Sequence, residues 1–386
     1  MRKTFFLILL VVVISLTACS STPQEAPCVK GIEINIMTTE AGVEFVRTPE
    51  ACFENLPDWP FEPEYVEIDG LRQAYVDVGA ADAQETILLL HGQPSWSYLY
   101  RKMIPVLADA GHRVIAMDHL GMGRSDKPVD PDYYTFQGHV DRLEAFIQEL
   151  DLDDAKLTIF VQDWGSLIGL NVIGTHPAWF DRVVVGNGFL PTFEKGVVPF
   201  ELPKFTLLTR ELFYRNITSI PEQQPLYYDD QGNLLEDRGD YFGLWIDYAR
   251  NDKRFQASQI LEAMTYFDLS EEELIAYDAP FPSRIFMGGP RAFPGLVNQL
   301  PGLTNTAWEK LGEFEKPFLT IWGDNDPGNL GRPVVQQALL DHIPGTEGWD
   351  HVRLAEASHF LQDDQGEEIA RRVNEFIAAS VNNKSP

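Results

Sequence analysis

Three residues have the types and spacing to carry nucleophilic chemistry: Asp163, His359 and Asp326. Asp163 stands in Val161-Gln-Asp-Trp-Gly165, directly after an apolar, β-branched run at 157–161 that reads as a buried parallel strand. A helix-length apolar pattern follows, so the aspartate sits where a strand turns sharply into a helix. Such a turn is a nucleophile elbow, and Gly165 is the small residue that lets strand and helix approach closely. By itself, Asp163 reads equally well as a strand-ending residue that caps the next helix. A carboxylate that attacks an electrophilic carbon leaves an ester, and hydrolysing the ester needs a general base. Of eight histidines, His359 lies in Ala355-Glu-Ala-Ser-His359-Phe360, just after the last expected strand, at the sheet end where α/β sites are built. The base in turn needs an orienting carboxylate. Trp322-Gly-Asp-Asn-Asp-Pro327 offers Asp324 and Asp326, and its Gly-x-x-Asp-Pro spacing favours Asp326. The preceding strand end offers Asn187 and no carboxylate.

Ester hydrolysis also requires two N–H groups for the oxyanion. The backbone N–H of Trp164, next to the nucleophile, and that of Gln93, in the turn His91-Gly-Gln-Pro94, are the candidates. His91 is assigned a structural hydrogen bond beside that turn, and His112, His119, His139, His176, His342 and His351 structural places at helix ends or loops.

These groups must be positioned by strands. Residues 65–68 and 71–78 read as a hairpin around Asp69-Gly70, and 86–90 and 113–117 as buried strands. Residues 97–110 and 136–150 read as helices, and 182–185, 317–322 and 351–354 as later strands. Strands alternating with helices predict a mostly parallel, doubly wound sheet of eight strands, and the order nucleophile, acid, histidine matches the α/β-hydrolase fold. The strand rhythm stops between residues 190 and 293, where aromatic residues recur at helical spacing. A hundred residues is too long for a structureless loop, so this stretch is read as an inserted helical cap. The organisation is then 1–19 signal, 20–50 tether and extension, 51–189 first part of the core, 190–293 cap and 294–386 second part of the core.

The 386 residues carry 30 basic and 58 acidic side chains, a net charge of −28 spread along the chain. That charge repels phosphate backbones and argues against nucleic-acid binding, while 44% hydrophobic residues support a substantial core. No Cys/His cluster has metal-ligand spacing, and neither a metal nor an organic cofactor is expected. Gly121-Met-Gly-Arg124 fails as a dinucleotide fingerprint because no helix-opening third glycine follows.

The first residues, Met1-Arg2-Lys3 and then an apolar run at 5–16, read as a secretory signal. The run ends Leu16-Thr-Ala-Cys19, which resembles a bacterial lipobox with Cys19 as the lipidated residue. The expected location is the cell envelope, anchored by lipid alone and facing the periplasm. Ser20 resembles signals sorted to the outer membrane. Cys28 and Cys52 then remain as a candidate disulfide in an oxidising compartment.

From about Arg47 onward the chain resembles haloalkane dehalogenases, in the branch nearest the dichloroethane-degrading enzyme. The resemblance rests on Phe53-Glu-Asn-Leu-Pro57, Pro60-Phe-Glu-Pro63 and the stretch from His91 to Pro105. It continues through Gly123-Arg-Ser-Asp-Lys-Pro-Val129, Val161-Gln-Asp-Trp-Gly165, Ala279-Pro-Phe-Pro282 and His359-Phe-Leu-Gln362. It implies that Asp163 displaces halide from a small halogenated alkane, with water as the second reactant. The chain is expected to act as a monomer. Indole N–H groups would receive the leaving halide, since they donate without accepting. Trp164 is one. The family's lid pattern Asp-x-Phe-x-x-Trp falls on Asp240-Tyr-Phe-Gly-Leu-Trp245, making Trp245 the second and Phe242 a pocket wall. Departures from the branch are Gln93 for Glu, Ser166 for Gly and a lid insertion near 206–238. Gln93 should matter little if only its N–H works. An epoxide hydrolase using Tyr214, Tyr241, Tyr248 or Tyr266 as acid, and an idle binding lipoprotein of the same fold, are the alternatives.

Overall fold

A computed structural model describes residues 26–191, 240–327 and 330–383. The central sheet is built from β1 (Glu64–Ile68), β2 (Leu71–Val78), β3 (Thr86–Leu90), β4 (Arg113–Met117), β5 (Leu157–Gln162), β6 (Phe180–Gly186), β7 (Phe318–Gly323) and β8 (Val352–Leu354). Their order is β8-β7-β6-β5-β3-β4-β2-β1. The β1–β2 and β2–β4 pairings are antiparallel and the others parallel, as the alternating pattern predicts. Every residue of β3, β5 and β7 is buried, which explains their unbroken apolar runs: both faces are covered by helices.

The helices are α1 (Ile104–Asp109), α2 (Phe136–Glu149), α3 (Trp164–Thr175), α4 (Asp240–Asn251), α5 (Ala257–Met264), α6 (Glu271–Asp278), α7 (Gly288–Ala292), α8 (Asn305–Leu311), α9 (Pro333–His342) and α10 (Leu361–Asn383). From Trp164 to Gly174 every residue of α3 is buried, the signature of a helix enclosed on all sides. The expected helix over 97–110 is instead a 3-10 turn at Ser97–Tyr100 followed by the short α1. Pro105 explains the break: a proline supplies no N–H for a continuing helix and is tolerated in a first turn, so it starts a helix here.

The N-terminal extension is more ordered than its weak periodicity suggests. Met37–Thr38, Glu44–Val46 and Lys127–Pro128 form a three-stranded sheet, in which the pairing partner of 44–46 comes from a distant loop. Cys28 and Cys52 are joined, with Cα atoms 5.1 Å apart. The extension also reaches the helical region: Ala26 N–H donates to Pro282 O at 2.9 Å and the Thr48 hydroxyl to Pro280 O at 2.7 Å.

Residues 240–292 are helical segments and turns. α6 begins with a reciprocal Ser270–Glu273 capping box. The Trp96 indole donates to Ala276 O at 3.1 Å, and the buried Arg101 guanidinium is shared by Asp363 at 2.8 Å, Glu273 and Tyr277. A polar cluster thereby ties α6 to α10 and to the segment after β3. The signal and lipobox Cys19, and the insertion near 206–238 with Tyr214, lie outside the described residues. No described helix is long and apolar enough to cross a membrane.

Candidate active site

Parallel register brings the chemistry together. Leu90 aligns with Val161, Val161 with Val185, and Gly186 with Ile321, so β3, β5, β6 and β7 end at one level. The loops leaving those ends carry Gln93, Asp163, Asn187 and Asp326, and the loop after β8 carries His359.

Asp163 occupies the elbow with φ 50° and ψ −126°, a conformation costly for a residue with a Cβ. The surroundings hold it there. A Cβ on Gly165 would stand 2.3 Å from Leu90 O, so only glycine lets α3 start this close to β3. Ser166, where the branch usually has glycine, donates its hydroxyl to Asp163 O at 2.6 Å and accepts from Phe189 N–H at 2.9 Å. It thereby ties the elbow to the loop after β6.

The Asp163 carboxylate faces two partners. Gln93 N–H donates to Oδ1 at 2.8 Å, and His359 Nε2 lies 3.5 Å from Oδ2. His359 Nδ1 lies 2.8 Å from Asp326 Oδ2, and that carboxylate is fully buried. Asp324 instead pairs with Arg353 on the half-exposed rim. Burial by itself would lower the His359 pKa, but the Asp326 and Asp163 carboxylates outweigh it and push it up to about 10. The imidazole therefore responds strongly to the charge on Asp163.

The Trp164 N–H makes no hydrogen bond to this carboxylate; the N–H groups of Ser166 and Leu167 take Asp163 O. The Gln93 side chain is not idle, as the reading of its N–H alone implied. Its amide donates to Pro290 O at 2.7 Å, linking the turn to α7. The turn is also braced by His91, whose Nδ1–H donates to Gly92 O at 2.8 Å while Nε2 accepts from His119 N–H at 3.1 Å. Burial lowers the His91 pKa, which keeps that ring neutral in these bonds.

Two positioning groups escaped the sequence. Asn187 donates to Ser358 O at 2.8 Å and accepts from Gly323 N–H at 2.8 Å, stitching the His359 loop to the end of β7. Gln162, fully buried, donates to His359 O at 3.1 Å. A polar residue ending an apolar strand was the available signal at 162; Asn187 was seen at a strand end only as the lack of a carboxylate there.

Trp164 is 5% exposed and packs edge-on to Phe293, ring centroids 5.6 Å apart. Trp245, on α4, is half-buried, with Tyr248 at 6.0 Å and Phe255 at 5.9 Å. Both tryptophans belong to one continuous apolar cluster. The backbone of Phe242 is in α4 and its side chain lies outside the described residues, as does that of Tyr241. Tyr266 is 45% exposed on the outer surface. Among the described residues no His/Cys/Asp/Glu group is arranged to hold a metal ion.

An aspartate on an elbow, a histidine after the last strand and an aspartate after β7, carried on this strand order, define an α/β-hydrolase. A family model described as alpha/beta hydrolase fold matches residues 85–219. The chain is 37% identical over 345 residues to a haloalkane dehalogenase of Psychrobacter cryohalolentis, covering 87% of this chain and 98% of that one. It is 40% identical over 341 residues to a haloalkane dehalogenase of Mycobacterium marinum, covering 86% and 99%. A solved structure of a haloalkane dehalogenase from Paraglaciecola agarilytica, described as tetrameric, superposes with a TM-score of 0.68 at 28% identity, covering 86% of this chain and 97% of that one. The chain belongs to the haloalkane dehalogenase family.

Proposed function

We propose that the protein hydrolyses small halogenated alkanes to an alcohol and a halide, with Asp163 as nucleophile, His359 as general base and Asp326 as its orienting acid. The observation that carries the reading is the carboxylate of Asp163, held at Oδ1 by Gln93 N–H, facing an imidazole backed by Asp326. Family membership sets the reaction class. In the first step an Asp163 oxygen attacks a saturated carbon in line with the departing halide; the C–O bond forms and the halide leaves with the bonding electron pair. Trp164 and Trp245 donate their indole N–H groups to that halide.

The alkyl ester no longer carries the Asp163 charge, so one of the two carboxylates that favour imidazolium is gone. His359 can then accept a proton at Nε2 from water while the hydroxyl attacks Cγ of Asp163. The oxyanion develops on the oxygen held by Gln93 N–H, with Trp164 N–H as the second donor. Collapse expels the alkoxide, which takes the proton back from His359. An epoxide hydrolase would need a tyrosine pointed at the substrate oxygen. Tyr266 is exposed and Tyr248 is packed against Trp245 and Phe255, which favours the halide reading.

The N-terminal signal and Cys19 belong to the same proposal: a lipid-anchored protein of the bacterial envelope, facing the periplasm. The Cys28–Cys52 bond supports an oxidising compartment. The test is halide release by the full chain in detergent from brominated and chlorinated alkanes, with styrene oxide in parallel. Bromide release that is lost in Asp163→Ala and weakened in Trp245→Phe supports the reading. Diol from styrene oxide without bromide release refutes it.

A further inference from the structure

Gln162 ends β5, one residue before the nucleophile, and has no accessible surface. Its amide nitrogen lies 3.1 Å from His359 O and 3.3 Å from His359 Nε2. Its carbonyl oxygen is buried and has no hydrogen-bond partner among the described residues. The amide is thus held through its nitrogen alone. Rotating it by half a turn would set its oxygen against His359 O, carbonyl against carbonyl, so the carbonyl of His359 fixes which way the NH2 group faces.

With one N–H spent on His359 O, the other is directed at His359 Nε2. That ring nitrogen can accept only when it carries no proton, which requires the remaining ring proton to be on Nδ1, donating to Asp326 at 2.8 Å. An imidazolium would bring N–H against N–H at the same place. The charged groups facing the ring among the described residues are Asp326 and Asp163, and both favour the proton that Gln162 opposes.

We propose that Gln162 is a positioning residue for the base: its amide, oriented by the backbone carbonyl of His359, favours the neutral Nδ1–H form of the imidazole against the imidazolium that Asp163 and Asp326 favour, sharing at Nε2 the lone pair that the hydrolytic water approaches. This assignment rests on His359 being the base of the reaction proposed above. The bias is of use after Asp163 has become an ester, when Asp326 alone remains to favour imidazolium and water must give up a proton to Nε2. Gln162 therefore acts on ester hydrolysis and leaves alkylation largely alone.

The test is titration of the His359 ring by ¹⁵N NMR in histidine-labelled full chain, comparing wild type with Gln162→Met, which removes the donor at similar size. Gln162→Glu, which replaces the donor by an acceptor, is the second variant should the first fail to fold. Loss of one hydrogen bond to the neutral ring raises the midpoint by about half a unit to one unit, and Glu raises it further. Single-turnover bromide release should keep its rate in Gln162→Met, while the ester decays several-fold more slowly at neutral pH and its pH profile moves upward. A His359 midpoint that stays put or falls in either variant overturns the proposal. So does a uniform loss across pH in both chemical steps, which a packing role would give. The NMR arm needs no substrate, so absence of bromide release from wild type would refute the proposed reaction without deciding the role of Gln162 in the tautomer.

Discussion

Replacing Gly92 by alanine should disable the nucleophile without unfolding the protein. A Cβ built on Gly92 would lie 2.3 Å from both Cβ and Oδ1 of Asp163. Non-bonded carbon contacts settle near ~3.5 Å, so the carboxylate must retreat by about 1 Å. The neighbours it would push against are fixed, since Gln93 N–H holds Oδ1 and His359 stands beyond Oδ2. A misplacement of that size removes the in-line geometry of attack and costs roughly a hundredfold in rate. The assay is single-turnover bromide release from bromobutane by rapid mixing, with circular dichroism and a thermal melt to show that the variant is folded. Folded Gly92→Ala protein alkylating at the wild-type rate would refute the argument that Gly92 is required by the position of Asp163.

Asp326→Asn should slow ester hydrolysis by roughly 10³–10⁴-fold while the alkylation burst persists, because the wrong tautomer of His359 is favoured. Asp324→Asn, which breaks only the rim pair with Arg353, should leave both steps unchanged; the reverse pattern would exchange the two roles. Cys28→Ser should lower stability by about 3 kcal/mol, as expected for a bond between cysteines 24 positions apart, read as a lower melting temperature under non-reducing conditions. The folded-state pKa of His359 is raised above its ordinary value to about 10, so the stability this ring contributes is complete below about pH 6.5 and is lost as pH rises through 10. Melting temperatures followed over that range should fall less steeply in His359→Ala than in wild type; parallel curves would contradict the assignment.

The positions of the candidate site residues were more legible than those of their supports. Buried parallel strands announce themselves by continuous apolar runs, so 86–90, 113–117 and 157–161 match β3, β4 and β5 to within a residue, and the groups that follow such runs fall at one sheet edge. Asp326 was separable from Asp324 by spacing alone. The helix expected at 97–110 was misread because apolar periodicity outweighed Pro105, which starts a new helix instead of continuing one. The small sheet formed by 37–38, 44–46 and 127–128 is closed by a pairing of 44–46 with 127–128, segments some eighty positions apart, which no local pattern displays. Gln162 and Asn187 meet residues more than 170 positions away, and no window on the chain displays such a partner. Gln93 was judged by its backbone, whereas its side chain holds α7.

The proposed reaction passes through a covalent alkyl ester on Asp163 that His359 resolves. His359→Ala protein incubated with bromobutane and analysed by intact mass spectrometry and peptide mapping tests it directly. The expected result is a mass increase of one butyl group, released as an ester by mild base and mapped to the peptide containing Asp163. An unmodified protein that still releases bromide, or an adduct on any other residue, would contradict it.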